Sequence, residues 1–361
     1  MLDKYMIRFY HRCFPHLWKL DQTMRKKRAD LRMIGKGAER LTSDEHRQVV
    51  EIWNEYKKSA LLSASFYKHY TGSFNPQYVP NSYYWWAERV LNLRWAAFFL
   101  QHKCCQDYFF PKINRPQTLL RKIDGHFVDQ NDYEINVNEA ISILKREKFF
   151  VWKRAWGTGG GKGVIPIDTT TTNLLDILAP QDIICQRILR QNEFMASFNQ
   201  SSVNTIRMLT LNINGKCSVL SSFIRMGGEG SFVDNVASSK GIFVGINQDG
   251  FLSNYGYTKQ FERKNKAPSG LKLGDVKIPS FNEIKGTVVD LHQKIPFVNL
   301  IAWDIAIDEH NCPIIIEINL DNGEIECHQV FNGPIFGERF NEVREYISER
   351  ESQLRHAFIA F

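Results

Sequence analysis

The sequence predicts an α+β protein with a helical front region, and three observations carry the prediction. Residues 1 to about 110 are rich in helix formers, with aromatic residues at three- and four-residue spacing. From Phe109-Phe110-Pro111 onward the texture changes to short apolar runs bounded by Gly, Asn, Asp and Pro. Two pairs of these runs read as hairpins, one around a glycine-rich loop and one carrying carboxylates. The expected organisation is a helical accessory region with a basic front end over 1–108, an α+β part with the glycine-rich hairpin over 109–185, and an α+β lobe with the carboxylate hairpin and a closing helix over 186–361.

The helical region breaks at Thr71-Gly72-Ser73-Phe74-Asn75-Pro76, where small, polar and ring-locked residues cannot continue a helix. Its front end holds the chain's net basicity. Residues 1–40 carry eleven Lys and Arg against four Asp and Glu, a surplus equal to the +7 of all 361 residues, whereas residues 41–361 balance at 35 against 35. Tyr5, Phe9, Tyr10, Phe14 and Trp18 lie among these cations. The ordinary reading is an N-terminal helix with a solvated basic face. The other is a helix lying on an anionic membrane surface, a peripheral contact through residues 1–40 at the inner membrane face. No apolar stretch reaches the ~20 residues that cross a bilayer, and charges stand where a signal peptide needs an apolar core, so a cytoplasmic location is expected. Basic and aromatic residues show no module spacing elsewhere, and no nucleic-acid partner is expected. The seven cysteines include no C-x-x-C pair, which suggests neither a disulfide framework nor a zinc site.

Lys148-Phe149-Phe150-Val151-Trp152-Lys153 reads as a strand, Gly157-Thr158-Gly159-Gly160-Gly161-Lys162-Gly163 as a loop, and Val164-Ile165-Pro166-Ile167 as a returning strand. A loop without Cβ atoms can bring several backbone N–H groups onto phosphate oxygens, and Lys153 and Lys162 supply point charges for them. The spacing fits neither a P-loop, since Trp156 stands at the required first glycine and Gly163 follows the lysine, nor any frame of G-x-G-x-x-G.

Residues 298–307 and 313–319 form two strongly apolar strands around Asp308-Glu309-His310-Asn311-Cys312. A short hairpin connection there sets Asp304 opposite Glu317, and period-two alternation sets Asn319 on the face of Glu317. Three oxygen ligands converge inside strands built to be buried. A buried carboxylate pair is costly unless a cation neutralises it, and hard oxygen ligands suit Mg²⁺. Between the hairpins, Ser202-Val203-Asn204-Thr205-Ile206-Arg207-Met208 leads into a strand. An Asn214-Gly215 turn and a return strand ending at Arg225 follow. An arginine in each strand of that pair needs an anionic partner.

On these pieces the sequence resembles the ATP-grasp superfamily, and within it the sugar-transfer-associated branch. The matching strings are Lys153 before the glycine loop, Ser-Val-Asn-Thr-Ile-Arg, Val233-Asp234-Asn235, Ile278-Pro279-Ser280, and Trp303-Asp304 followed by Glu317-Ile318-Asn319, in the family's order over about residues 90–340. The resemblance implies an ATP-grasp fold, two α+β lobes gripping ATP. Lys153, Gly159, Gly160, Gly161, Lys162 and Gly163 would hold its phosphates. Gln186, Arg187 and Ile188 would line adenine, and Glu193 would face ribose. Asp304, Glu317 and Asn319 would hold Mg²⁺. Arg207, Arg225 and Asn235 would serve the transferred phosphate and the acceptor side. The superfamily's upstream lysine has Arg94 as its nearest match by context, and Ala267-Pro268-Ser269-Gly270 stands where the branch shows His-Pro-x-x-Gly.

The implied reaction is carboxylate–amine ligation through an acylphosphate, on a cell-surface polysaccharide or sugar acid, with ATP and Mg²⁺ as cofactors and a small-molecule or glycan carboxylate and an amine as substrates. Two other classes use the same grip: an ATP-grasp kinase for a sugar or other small acceptor, and a non-catalytic nucleotide-binding protein.

Overall fold

A computed structural model describes residues 37–356 apart from 112, 158–162, 180–181, 233, 235, 237–239 and 322, with the backbone alone for 94–96, 352 and 354–356. Contacts divide the chain into two units, the described residues through Leu91 together with those from Glu324, and Asn92–Gly323. The division therefore falls ahead of residue 108, and the closing helix groups with the front helices. The physical reason is visible in the core: Leu100 and Phe110 pack into the hydrophobic cluster of the second sheet, which draws the segment after Leu91 into that unit.

The first unit is helical, with Ser43–Ile52, Lys57–Thr71, Asn81–Leu91, Ile325–Asn332 and Phe340–His356. Thr42 and Glu45 form a reciprocal capping box at its first helix. The break expected after Thr71 is made by Gly72, whose φ of 69° ends the second helix in the left-handed region that lacks a Cβ penalty. Trp53 meets Tyr83 and Phe340 edge-on, with ring centroids 4.9 and 5.4 Å apart.

The second unit holds two antiparallel sheets. The first contains β1 (Thr118–Ile123), β2 (His126–Asp129), β3 (Glu134–Ile135), β4 (Phe149–Arg154), β5 (Val164–Asp168) and β6 (Ile183–Arg187), in the order β3-β2-β1-β6-β4-β5. Phe150, Trp152, Ile183 and Cys185 pack on one side of it with Ala140, Leu144, Leu174 and Leu178 from two helices. The second contains β7 (Thr205–Ile213), β8 (Lys216–Met226), β9 (Ile242–Ile246), β10 (Leu252–Tyr257), β11 (Arg263–Lys264), β12 (Leu300–Ile307) and β13 (Pro313–Asn319), in the order β11-β10-β9-β8-β7-β12-β13.

β7 and β12 are buried at every position, so apolar residues fall on both faces of each strand in place of strict alternation, and Thr205, Arg207, Thr210, Asn212 and Asp304 are buried with them. The β7–β8 turn has φ of 53° at Asn214 and 77° at Gly215, the left-handed pair that the Asn-Gly dipeptide serves. The segment between Gln101 and Thr118 touches both sheets: Lys103 N–H donates to Ala155 O at 2.9 Å, and Ile315 N–H donates to Asn114 O at 2.8 Å. This crossing segment positions half of the site.

Candidate functional site

Register builds the site. Asp304 on β12 pairs with Glu317 on β13 and with Arg207 on β7, so three charged residues form one row across adjacent strands. Directly paired residues point to the same face. Arg225 on β8 pairs with Thr205, two residues before Arg207 on β7, and so joins that face. A bulge follows at once, since Ile305 pairs with Ile315 and leaves Ile316 unopposed.

Arg207 donates Nε to Asp304 Oδ1 at 2.5 Å and Nη2 to Oδ2 at 3.0 Å, a bidentate charge-assisted pair. Arg225 Nη2 lies 2.9 Å from Asp304 Oδ2 and 2.9 Å from Asp234 Oδ2. Thr205 donates its hydroxyl to Asp234 and accepts from Arg225. Asn319 Nδ2 donates to Asp304 Oδ2 at 3.3 Å. Burial alone would raise the Asp304 carboxyl, but the charges of Arg207 and Arg225 outweigh it and hold the group below its ordinary value. Asp234 goes the other way: burial raises it, against the pull of Arg225. The anionic partners that the two strand arginines require are thus Asp304 and Asp234.

Facing this row stand two lysines. Lys153 is in β4 register with Ile184 of β6 and lies buried; it has no ion-pair partner among the described residues. Burial pushes its ammonium down to about 8, opposed by the nearby Glu317 charge and assisted by Arg115 and Lys103. Lys103, also buried, sets Nζ 2.8 Å from Glu317 Oε1. Sequence reasoning missed Lys103 and named Arg94 in its place. Arg94 opens the helix Arg94–Gln101, and its side chain lies outside the described residues. The signal was weak because His102-Lys103-Cys104-Cys105 is neither periodic nor a motif; only the crossing segment's path brings it to Glu317.

The other expected residues fall as follows. The glycine-rich hairpin closes through the β4–β5 register, with Arg154 N–H on Gly163 O at 3.0 Å and Gly163 at φ 76°. Gly159, Gly160, Gly161, Lys162 and Asn235 lie outside the described residues. Gln186 is buried, donating to Pro116 O at 3.2 Å, while Arg187 pairs with Glu147 at 2.6 Å and Ile188 is partly open. Glu193 is exposed in the first turn of the helix Glu193–Ala196. The expectation for residues 1–40 falls almost wholly on undescribed residues, 1–36. Among the described residues no helix is long and apolar enough to cross a membrane.

The donors expected for a metal can be tested against this geometry. The burial cost that argued for a cation at Asp304 is met by two guanidiniums, and at Glu317 by Lys103. Among the described residues no three His, Cys, Asp or Glu side chains converge. What remains fits a hard cation that takes most ligands from elsewhere: two opposed carboxylates and the Asn319 amide on one face. Across the whole cluster, Lys103, Lys153, Arg207 and Arg225 stand against Asp234, Asp304 and Glu317, an excess of cation that suits a polyanion such as a phosphate chain.

A strand lysine facing an opposed carboxylate hairpin, within an α+β unit of two antiparallel sheets, has the arrangement of an ATP-grasp fold. The model of the sugar-transfer associated ATP-grasp family matches residues 177–345, a little under half the chain. The match starts after the glycine-rich hairpin, later than the resemblance over 90–340 implied. No curated protein matches the chain. Similar solved structures include the D-alanine-D-alanine ligase from Coxiella burnetii, with 10% identity, 72% of this chain and 62% of that one covered, and a TM-score of 0.41. The ATP-grasp ligase PsnB, solved with a precursor variant, Mg and ADP, gives 12%, 70%, 60% and 0.42 in the same order. The VanG D-Ala:D-Ser ligase from Enterococcus faecalis gives 10%, 70%, 62% and 0.43. The chain spans less than two thirds of the length of each of these proteins.

Proposed function

We propose that the protein is an ATP-dependent carboxylate–amine ligase that works through an acylphosphate on a polysaccharide or sugar acid, joining to it an amino acid or amine. The observation that carries this reading is the row Glu317–Asp304–Arg207, half-buried at Glu317 and buried at the other two, faced by the buried Lys103 and Lys153. Phosphoryl transfer asks a protein mainly for positioning and charge neutralisation, and this cluster supplies both without a nucleophile.

In this reading Lys153, Lys103 and the backbone of 157–163 hold the phosphates, and Gln186–Ile188 line the base. Asp304, Glu317 and Asn319 would hold Mg²⁺, which when bound neutralises phosphate charge. Arg207 and Arg225 stabilise the phosphoryl oxygens as charge moves from the nucleotide to the acceptor. The acceptor carboxylate forms a bond to the terminal phosphorus as the bond to ADP breaks. The amine then attacks the acyl carbon, losing a proton, and phosphate leaves. Support for the sugar-linked acceptor comes from the family of residues 177–345, and support for ATP and Mg from ligands named for PsnB.

The test is release of ADP and phosphate across paired panels of uronic acids and amines, with ¹⁸O in the carboxylate. Turnover that needs both partners and delivers one ¹⁸O into phosphate is expected, with loss of at least 100-fold in Glu317→Ala. ADP release with phosphate retained on a hydroxyl acceptor would replace this reading with a kinase.

A further inference from the structure

Beside the row, a polar cleft of about 510 Å³ lies against the crossing segment, β1 and the β2–β3 turn, with Asp107, Arg115, Gln117, Arg121, Asn131 and Asp132 on its walls. Its two arginines are buried, with side chains 6% and 3% exposed. They are also short of acceptors. Arg115 Nε and Nη1 and Arg121 Nε have no hydrogen-bond partner. The nearest anion to Arg115 is Asp107, with Oδ1 at 3.3 Å from Nη1, and the same carboxylate is shared with Arg121 Nη1 at 3.3 Å and the Thr118 hydroxyl at 3.1 Å. Arg121 has further partners in Asp132 at 2.5 Å and Asp129 O at 3.3 Å, whereas Arg115, on the cleft wall, keeps Nε and Nη1 without an acceptor.

A buried donor without an acceptor is destabilising, so a protein keeps such groups where something else completes them. A planar guanidinium presents adjacent N–H groups that match the two oxygens of a carboxylate or phosphate. Beside the apolar Phe110, Ile113 and Pro116, the walls carry amides that pair with hydroxyl groups in either direction and carboxylates that accept from them. We propose that this cleft is a binding site for a small hydroxylated acid, whose carboxylate or phosphate oxygens are held by Arg115 and whose hydroxyls meet Gln117, Asn131 and Asp132. The site deepens the ligase reading by naming the acid's place, and rests on that reading only for its role in turnover. Burial holds the Arg115 guanidinium below its ordinary pKa against the charges of Asp107 and Glu317, which places the site within electrostatic reach of the row.

The experiment is calorimetric titration of the full chain with glucuronate, glucose 6-phosphate, inorganic phosphate and glucose, with and without a saturating non-hydrolysable Mg-nucleotide. Either acid is expected to bind at least tenfold tighter than glucose, and the stronger of the two acids identifies carboxylate or phosphate as the anion. Binding should fall at least tenfold in Arg115→Gln and in Asn131→Trp, the second an exposed rim change that fills the cleft without touching the buried ion pairs. Equal binding of acid and glucose, or unchanged acid binding in both variants, overturns the proposal. So does an equal loss of nucleotide binding in Arg115→Gln, which would make the cleft part of the nucleotide grip. Acid binding that persists in a chain with no nucleotide affinity would uphold the cleft while removing the ligase reading.

Discussion

At the residue scale, Lys153 shows how one side chain joins folding to binding. Its burial lowers the ammonium to about 8, so the unliganded protein loses this charge as pH rises through that value. Phosphates bind the protonated form and raise its pKa. The sign follows: affinity for Mg-ATP is flat below about pH 8 and weakens above it, by at most about tenfold per pH unit. Titrations between pH 7 and 9.5 check this, and Lys153→Met should flatten the profile as well as lower it. The stability contribution runs the opposite way with pH, since a lysine depressed in the folded state favours the native form as pH rises from about 8 through its ordinary value of 10.5. Lys153 was legible in the sequence because a strand lysine before a glycine loop is a local pattern. Lys103 was not, because its meaning depends on Glu317, which lies 2.8 Å away in space and over two hundred residues along the chain.

At the element scale, β12 and β13 are fixed by polar contacts that a hydropathy pattern cannot reveal. Asn92 donates to Leu300 O at 2.6 Å and Leu320 O at 2.9 Å, and accepts from the N–H groups of Asn299 and Leu300, which holds the open end of the carboxylate hairpin. Toward the next strand, Trp303 Nε1 of β12 donates to Thr210 Oγ1 of β7 at 2.8 Å, and Thr210 meets His292 Nδ1 at 2.7 Å. His292 Nε2 faces the Val298 carbonyl at 3.0 Å, so Nε2 carries the proton and Nδ1 accepts from the threonine. A second proton at Nδ1 would oppose that hydroxyl, and burial lowers the imidazole to about 4. A histidine depressed in the folded state contributes stability fully above its unfolded value near 6.5, and that contribution is lost as pH falls toward 4. Its size is about 3 kcal/mol at most. Urea unfolding from pH 7.5 to 4.5 should show this slope, and His292→Gln should reduce it. The loop length between the two strands made the Asp304–Glu317 pairing legible. The bulge at Ile316 was not, since an extra residue in an apolar run leaves the composition unchanged.

At the scale of the whole molecule, one wholly antiparallel unit brings together charges from β4, β7, β8, β12, β13 and the crossing segment. The sequence carried the α+β class, both hairpins and the Asn-Gly turn, because each is written in neighbouring residues. It did not carry the division after Leu91, because helix texture continues past that point while Leu100 and Phe110 belong to the core of the second sheet. Nor did it show that guanidiniums already neutralise Asp304, so burial alone does not require a metal there. The central claim is that Lys103, Lys153, Glu317 and Asp304 grip a magnesium nucleotide. The most direct test is calorimetric binding of Mg-ATP to the full chain and to Lys153→Met at pH 7.5, with folding of each confirmed by urea unfolding. Binding that is Mg²⁺-dependent in the wild type and at least tenfold weaker in a folded Lys153→Met chain is the predicted result; a wild type without affinity for Mg-ATP, or a variant that binds it equally well, would contradict the account.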